Sequence, residues 1–187
     1  MKNGTKDGVL IHLFRFKIFM TVVLLLLTML LVACVYNAGR DTIDRSTVKN
    51  FDLKSYMGRW YEIARFDHPF ERGMERCVAD YRLLPDGSVE VLNSGYKEGK
   101  HRVSRGKAKK TSLPGELKVT FFIFPAPYKV MELGDNYEWS IVGSSSPNYL
   151  WILSRTPTLP DSVQADLLER CKRRGYDIEE LIFVPHE

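Results

Sequence analysis

The chain has 187 residues, of which 44% are hydrophobic and 27% charged, with 27 basic and 23 acidic residues giving a net charge of +4. This is the profile of one ordinary globular domain with a segment appended. Setting aside residues 1–33 leaves 23 basic against 22 acidic residues, so the remainder offers no electrostatic footprint for nucleic acid.

At the front, Ile18 to Val32 is almost unbroken apolar sequence behind Lys2, Lys6, Arg15 and Lys17, the layout of a signal peptide. A membrane-spanning anchor, which needs about 20 apolar residues, is the alternative. The end of the apolar run argues against an anchor: Leu31-Val32-Ala33-Cys34 resembles the lipobox of bacterial lipoproteins, in which the cysteine sulfur is acylated. Residues 1–33 are therefore expected to be a lipoprotein signal peptide, and Cys34 the lipidated first residue of the mature protein. Acyl chains contribute roughly 0.8 kcal/mol per buried methylene, which makes a lasting anchor without a spanning helix. Residues 34–52 are polar and aperiodic, as a tether would be.

From residue 53 to 187 the pattern is that of a single domain. Short runs rich in Val, Ile, Phe, Tyr and Trp fall near 58–66, 77–84, 88–96, 101–110, 117–124, 128–133, 137–143 and 149–155. Turn chemistry separates them, as in Pro85-Asp86-Gly87, Leu113-Pro114-Gly115 and Gly134-Asp135-Asn136. The expected fold is all-β: an eight-stranded, antiparallel, up-and-down barrel, of a size that holds one small ligand. The locally basic stretch from Arg105 to Lys110 reads as a solvated strand edge.

After the last strand, Pro160 and Asp161 suit the first turn of a helix and Gly175 its end, with Lys172, Arg173 and Arg174 against the negative end of its dipole. Val163, Leu167, Leu168 and Cys171 share one face, so this C-terminal helix is expected to pack on the outside of the barrel. Leu181 to Val184 makes a last short strand.

Two motifs carry a family likeness. Phe51 to Arg65, containing Gly58-Arg59-Trp60, resembles the lipocalin signature of a short helical turn leading into Gly-x-Trp on the first strand. Tyr149 to Pro157, with Arg155, resembles the end of the eighth strand; Cys77-Val78-Ala79-Asp80-Tyr81 is similar to the middle motif, less closely. Independently of the likeness, Gly58 permits a tight turn, Trp60 plugs the narrow end, and the Arg155 guanidinium is suited to stack on the indole while donating to backbone carbonyls. These three are expected to be structural.

Within the lipocalins the chain is most similar to the bacterial outer-membrane lipoprotein subgroup, which also resembles apolipoprotein D. That resemblance implies a fatty acid or phospholipid-derived ligand, attachment to a membrane through acylated Cys34, and no cofactor. Val35, rather than aspartate, after Cys34 favours the outer membrane by resemblance to enterobacterial lipoprotein sorting. The chain departs from the subgroup at Phe122-Ile123-Phe124-Pro125-Ala126-Pro127, where the hairpin at the barrel mouth is usually richer in glycine.

Strand alternation supplies a candidate ligand site. With Trp60 pointing inward, Glu62 is placed on the same face, and the apolar phases of the other strands put Phe121, Ile123, Tyr137, Trp139, Tyr149 and Trp151 on the inner face, with Leu150 facing the helix. A barrel filled by its own side chains is the competing reading of these residues.

No catalytic or metal site is expected. His12, His68, His101 and His186 lie far apart without zinc spacing, and nucleophile elbows and phosphate-binding loops are absent from the sequence. A thiol-dependent enzyme using Cys77 is the one catalytic alternative, and an envelope scaffold acting through protein contacts is another. Cys77 matches a position that is disulfide-bonded in some lipocalins, whereas Cys171 lies on the apolar face of the helix; the two are expected not to bond to each other.

Overall fold

The computed structural model describes residues 17–33 and 43–187. Residues 17–33 form a helix, α1, with its apolar side chains exposed. Among the described residues no helix is long and apolar enough to cross a membrane. Cys34 and Val35 lie outside the described residues, as do His12 and the basic residues at positions 2, 6 and 15.

Residues 43–187 have their own core: every buried apolar side chain among the described residues, and every strand pairing, falls within them. Ile43 to Asp52 precede the first barrel helix and are hydrogen-bonded rather than free. The Asp44 amide donates to the Arg174 carbonyl at 2.8 Å, and the Val48 amide to the Val130 carbonyl at 3.0 Å.

A short helix, α2 (Leu53–Tyr56), is capped by Asp52, whose carboxylate accepts from the Lys54 and Ser55 amides. Eight strands come next: β1 (Gly58–Arg65), β2 (Glu75–Leu83), β3 (Val89–Lys97), β4 (Lys100–Lys110), β5 (Glu116–Thr120), β6 (Ala126–Leu133), β7 (Trp139–Gly143) and β8 (Leu150–Ser154). Each pairs antiparallel with the next, and β1 pairs with both β2 and β8, which closes the barrel. No edge is left where those two pairings meet.

The closure is shared along β1. Its first half, Gly58 to Tyr61, pairs with β2, and its second half shifts register between Glu62 and Ala64 against β8. Where β2 has turned away, β9 (Ile182–Phe183) pairs with Ala64 and Arg65 instead. The helix α3 (Asp161–Arg173) packs outside the barrel, burying Leu167 and Cys171 against Ile63, Ala64, Ile141, Leu150 and Ile152. It ends as the sequence suggests: Gly175 has φ of 92°, and the Tyr176 amide donates back to the Cys171 carbonyl at 3.1 Å.

The barrel has a closed end and an open one. At the closed end the Arg155 guanidinium lies 3.7 Å over the Trp60 ring and donates to the carbonyls of Ser55, Arg59 and Tyr137. Gly58, at φ of 95°, leaves room for it, since a side chain there would begin 3.4 Å from an Arg155 nitrogen. The open end is formed by the loops 66–74, 98–99, 121–125 and 144–149.

Candidate functional site

Inside the barrel is a cavity of about 820 Å³ that opens between those four loops. Its wall is supplied by the inward phase of the strands. Val91 on β3, Leu117 and Val119 on β5, Phe121 just beyond it, and Trp151 and Leu153 on β8 all face the space. The alternation on β5 arises because its other residues, such as Lys118, face solvent.

Polar groups break this apolar wall at several points. Near the open end, Glu62 and Arg65 form a buried ion pair at 2.6 Å, and Arg65 also donates to the carbonyls of Glu71 (2.8 Å) and Met74 (3.1 Å). The guanidinium thereby ties the loop between β1 and β2 to the wall. The Glu71 carboxylate accepts from the Trp151 indole at 3.1 Å, within the electrostatic reach of the same guanidinium. Burial and the neighbouring Glu71 push Glu62 up to about 8 against the opposing pull of Arg65. Burial also raises Glu71, against the indole hydrogen bond and Arg65.

Deeper in, Tyr81 and Tyr128 line the cavity, their hydroxyls 3.2 Å apart, and Tyr128 continues to Tyr56 at 2.7 Å. Burial raises all three phenols, so they remain neutral donors and acceptors. On β3, Asn93 reaches the cavity with its Oδ1 atom lacking a hydrogen-bond partner among the described residues. This is an acceptor available to an occupant.

At the mouth, His68 is buried, stacked on Tyr149 and tilted against Trp151, with both ring centroids 4.7 Å away. Burial and the Arg65 charge push the imidazole down to about 4, so it is neutral.

The structure brings together four of the seven candidate ligand residues: Glu62, Phe121, Tyr149 and Trp151 all line the cavity. The other three lie elsewhere. Trp139 points outward, under the Arg170 guanidinium at 5.3 Å and against the α3 cluster. Both faces of β7 are buried, one by the cavity side and one by α3, so its apolar alternation does not reveal which face is inner. Tyr137 precedes β7 in a turn with φ of 59°, and its hydroxyl accepts from the Asp52 amide at 2.8 Å at the closed end. Ile123 is 79% exposed, because β5 ends at Thr120 and the chain bends away from the ladder.

Arg65, Glu71, Tyr81, Tyr128 and Asn93 are not singled out by alternation. A signal for the first is present in the sequence: a charged residue inside the otherwise apolar strand end Ile63-Ala64-Arg65-Phe66 needs a buried partner. Cys77 is on the cavity wall and Cys171 under α3, in separate surroundings, and both thiols are free. Among the described residues no cluster of His, Cys, Asp or Glu is arranged to hold a metal ion.

Comparison with known proteins agrees with this geometry. Residues 51–186 match the model of the lipocalin-like domain. The chain belongs to the lipocalin family. It is 46% identical over 144 residues to the outer membrane lipoprotein Blc of Escherichia coli K12, covering 74% of this chain and 81% of that one. To Blc of Vibrio cholerae it is 43% identical over 146 residues, covering 75% and 85%. Mouse apolipoprotein D is 36% identical over 147 residues, covering 71% and 76%. Among solved structures, this lipocalin superposes on insecticyanin from the tobacco hornworm with a TM-score of 0.66 at 20% identity, covering 77% of this chain and 85% of that one.

Proposed function

We propose that this lipocalin binds a small hydrophobic ligand, a fatty acid or a phospholipid-derived lipid with a single long chain, and that it does so in the outer membrane, held there by acylated Cys34. The observation that carries the reading is the cavity: about 820 Å³, apolar along most of its wall and open at one end. That volume is within the roughly 300–1,000 Å³ usual for small-molecule sites, and the few convergent polar groups are also typical of them. An acyl chain lies along Val91, Leu117, Val119 and Leu153, and a polar end group lies near Glu62, Arg65 and Glu71. Burial raises the pKa of Glu62, so its carboxyl, paired with Arg65, takes up a proton more readily than an exposed glutamate does.

Carriage rather than catalysis is the activity this site supports. The thiol of Cys77 is pushed up to about 12 by burial and by the nearby Glu62, which leaves almost none of it as the nucleophilic thiolate. The outer-membrane location is supported by the relatives named outer membrane lipoprotein Blc. It is also supported by the lipobox-like Leu31-Val32-Ala33-Cys34.

Native mass spectrometry of the full chain purified from a Gram-negative envelope tests both parts. The expected spectrum shows one bound lipid released on activation and an acylated N-terminal peptide beginning at Cys34. An unmodified Cys34, or a Cys34→Ser protein that still fractionates with membranes at unchanged mass, contradicts the anchor; an empty barrel contradicts the ligand.

A further inference from the structure

The three most exposed large apolar side chains among the described residues are consecutive: Phe122 at 91%, Ile123 at 79% and Phe124 at 85%. They form the tip of the β5 to β6 loop, directly at the mouth of the cavity, and Phe70, 62% exposed, stands on another loop of the same rim. Proline at 125 and 127 restricts the loop where it enters β6, and none of the three tip side chains belongs to a core cluster. An isolated exposed Phe needs no explanation, but three large apolar residues in a row on a protruding tip do.

A second feature sits at the same end. Strand β4 runs past the end of β5, whose pairing stops at Lys107, and the overhang carries Lys100, Arg102 and Arg105, all exposed and none ion-paired among the described residues. One exposed carboxylate, Glu98, stands on the adjoining turn. An apolar tip flanked by unpaired cations is the chemistry of attachment to an anionic lipid surface. The aromatic and aliphatic side chains enter the acyl boundary, and the lysine and arginines meet the headgroups.

We propose that the open end of the barrel docks on an anionic lipid bilayer, with Phe122, Ile123 and Phe124 inserted and Lys100, Arg102 and Arg105 at headgroup level. A second copy of the chain fits the surface less well, because two-fold pairing of this rim would set its cations against one another. Docking in this pose turns the cavity mouth toward the membrane, although the attachment itself does not depend on what the cavity holds.

Vesicle flotation of residues 43–187, which contain the whole core, tests the proposal without the N-terminal segment. Vesicles of phosphatidylcholine and phosphatidylglycerol in equal parts are compared with phosphatidylcholine alone. The wild type floats with both and more strongly with the anionic vesicles. The variant I123S/F124S, which touches neither the core nor the cavity wall, loses on the order of 100-fold in partitioning. K100E/R105E loses on the order of tenfold, on anionic vesicles only. Unchanged thermal melting confirms that both variants are folded. Failure of the wild type to float, or flotation of I123S/F124S at wild-type strength, overturns the proposal. So does a wild type that never floats but sediments as a dimer, with I123S/F124S a monomer, since that makes the tip an interface between copies.

Discussion

The Glu62 carboxylate accepts a 2.6 Å hydrogen bond from Arg65 three residues along the same strand, inside a barrel whose wall is otherwise mostly apolar. A register shift between Glu62 and Ala64 interrupts the strand at this point. A third charged group, the Glu71 carboxylate, is held nearby by the Trp151 indole, while the same guanidinium donates to the Glu71 backbone carbonyl.

That arrangement predicts how stability depends on pH. The folded-state pKa of Glu62 is raised from the ordinary 4.5 to about 8, chiefly by burial. Between those values the folded protein holds a proton that the unfolded chain has released. The contribution is therefore present in full below about 4.5 and is lost as pH rises through about 8. Urea unfolding at pH 5 and pH 9 should show the wild type losing about 1–3 kcal/mol more than Glu62→Gln across that interval. Equal losses in the two proteins would mean that Glu62 is ionised in the barrel throughout.

Arg155 acts on stability rather than on the ligand. Its guanidinium caps Trp60 and satisfies three backbone carbonyls at the closed end, away from the cavity wall. Arg155→Ala should cost about 2–4 kcal/mol, by loss of stacking and of charge-assisted hydrogen bonds, while ligand affinity of the folded protein stays near wild type. Arg155→Lys should recover only a part, because an ammonium cannot reproduce the planar fork. Chemical denaturation and a ligand titration on the same samples separate the two effects.

The outward position of Trp139 and the inward position of Trp151 predict opposite phenotypes for the same substitution. Trp151→Ala removes cavity wall and the hydrogen bond to Glu71, so it should weaken lipid binding by roughly tenfold or more. Trp139→Ala removes packing under α3 and should behave like Leu150→Ala, lowering the melting temperature with little change in affinity. Titration of both variants with one fatty acid checks the assignment, and similar affinity losses would contradict it.

Two thiols in two environments should label differently. Cys77 borders the cavity but is held as the thiol, so a small aromatic disulfide reagent at pH 8 should modify it slowly, and more slowly still with ligand present. Cys171 has no exposed surface and should react only after unfolding. Rapid labelling of either in the native protein would contradict this.

The barrel itself is largely legible in the sequence. Turn residues mark each hairpin, and the helix α3 is announced by its apolar face and by Gly175. The cavity is legible only where one face of a strand is wet, as on β5, where Lys118 separates Leu117 from Val119. On β7 the helix dries the second face, and Trp139 and Ile141 then look as inward as Ser140 and Val142 are in fact. Ile123 misleads for another reason: its apolar character suits a strand, but the ladder stops at Thr120. The group around Arg65 is hidden because its members come from β1, the loop after it and β8, which only the closed barrel brings together.

The central claim, that the barrel is a site for one acyl chain, is tested most directly by titrating residues 43–187 with saturated fatty acids and lysophospholipids of increasing length, monitored by intrinsic tryptophan fluorescence. Hydrophobic transfer of about 0.8 kcal/mol per methylene predicts affinity rising up to about fourfold per added carbon, at a stoichiometry of one, until the cavity is full and the rise stops. Affinity that does not change with chain length, or no saturable binding at any length, would contradict the account.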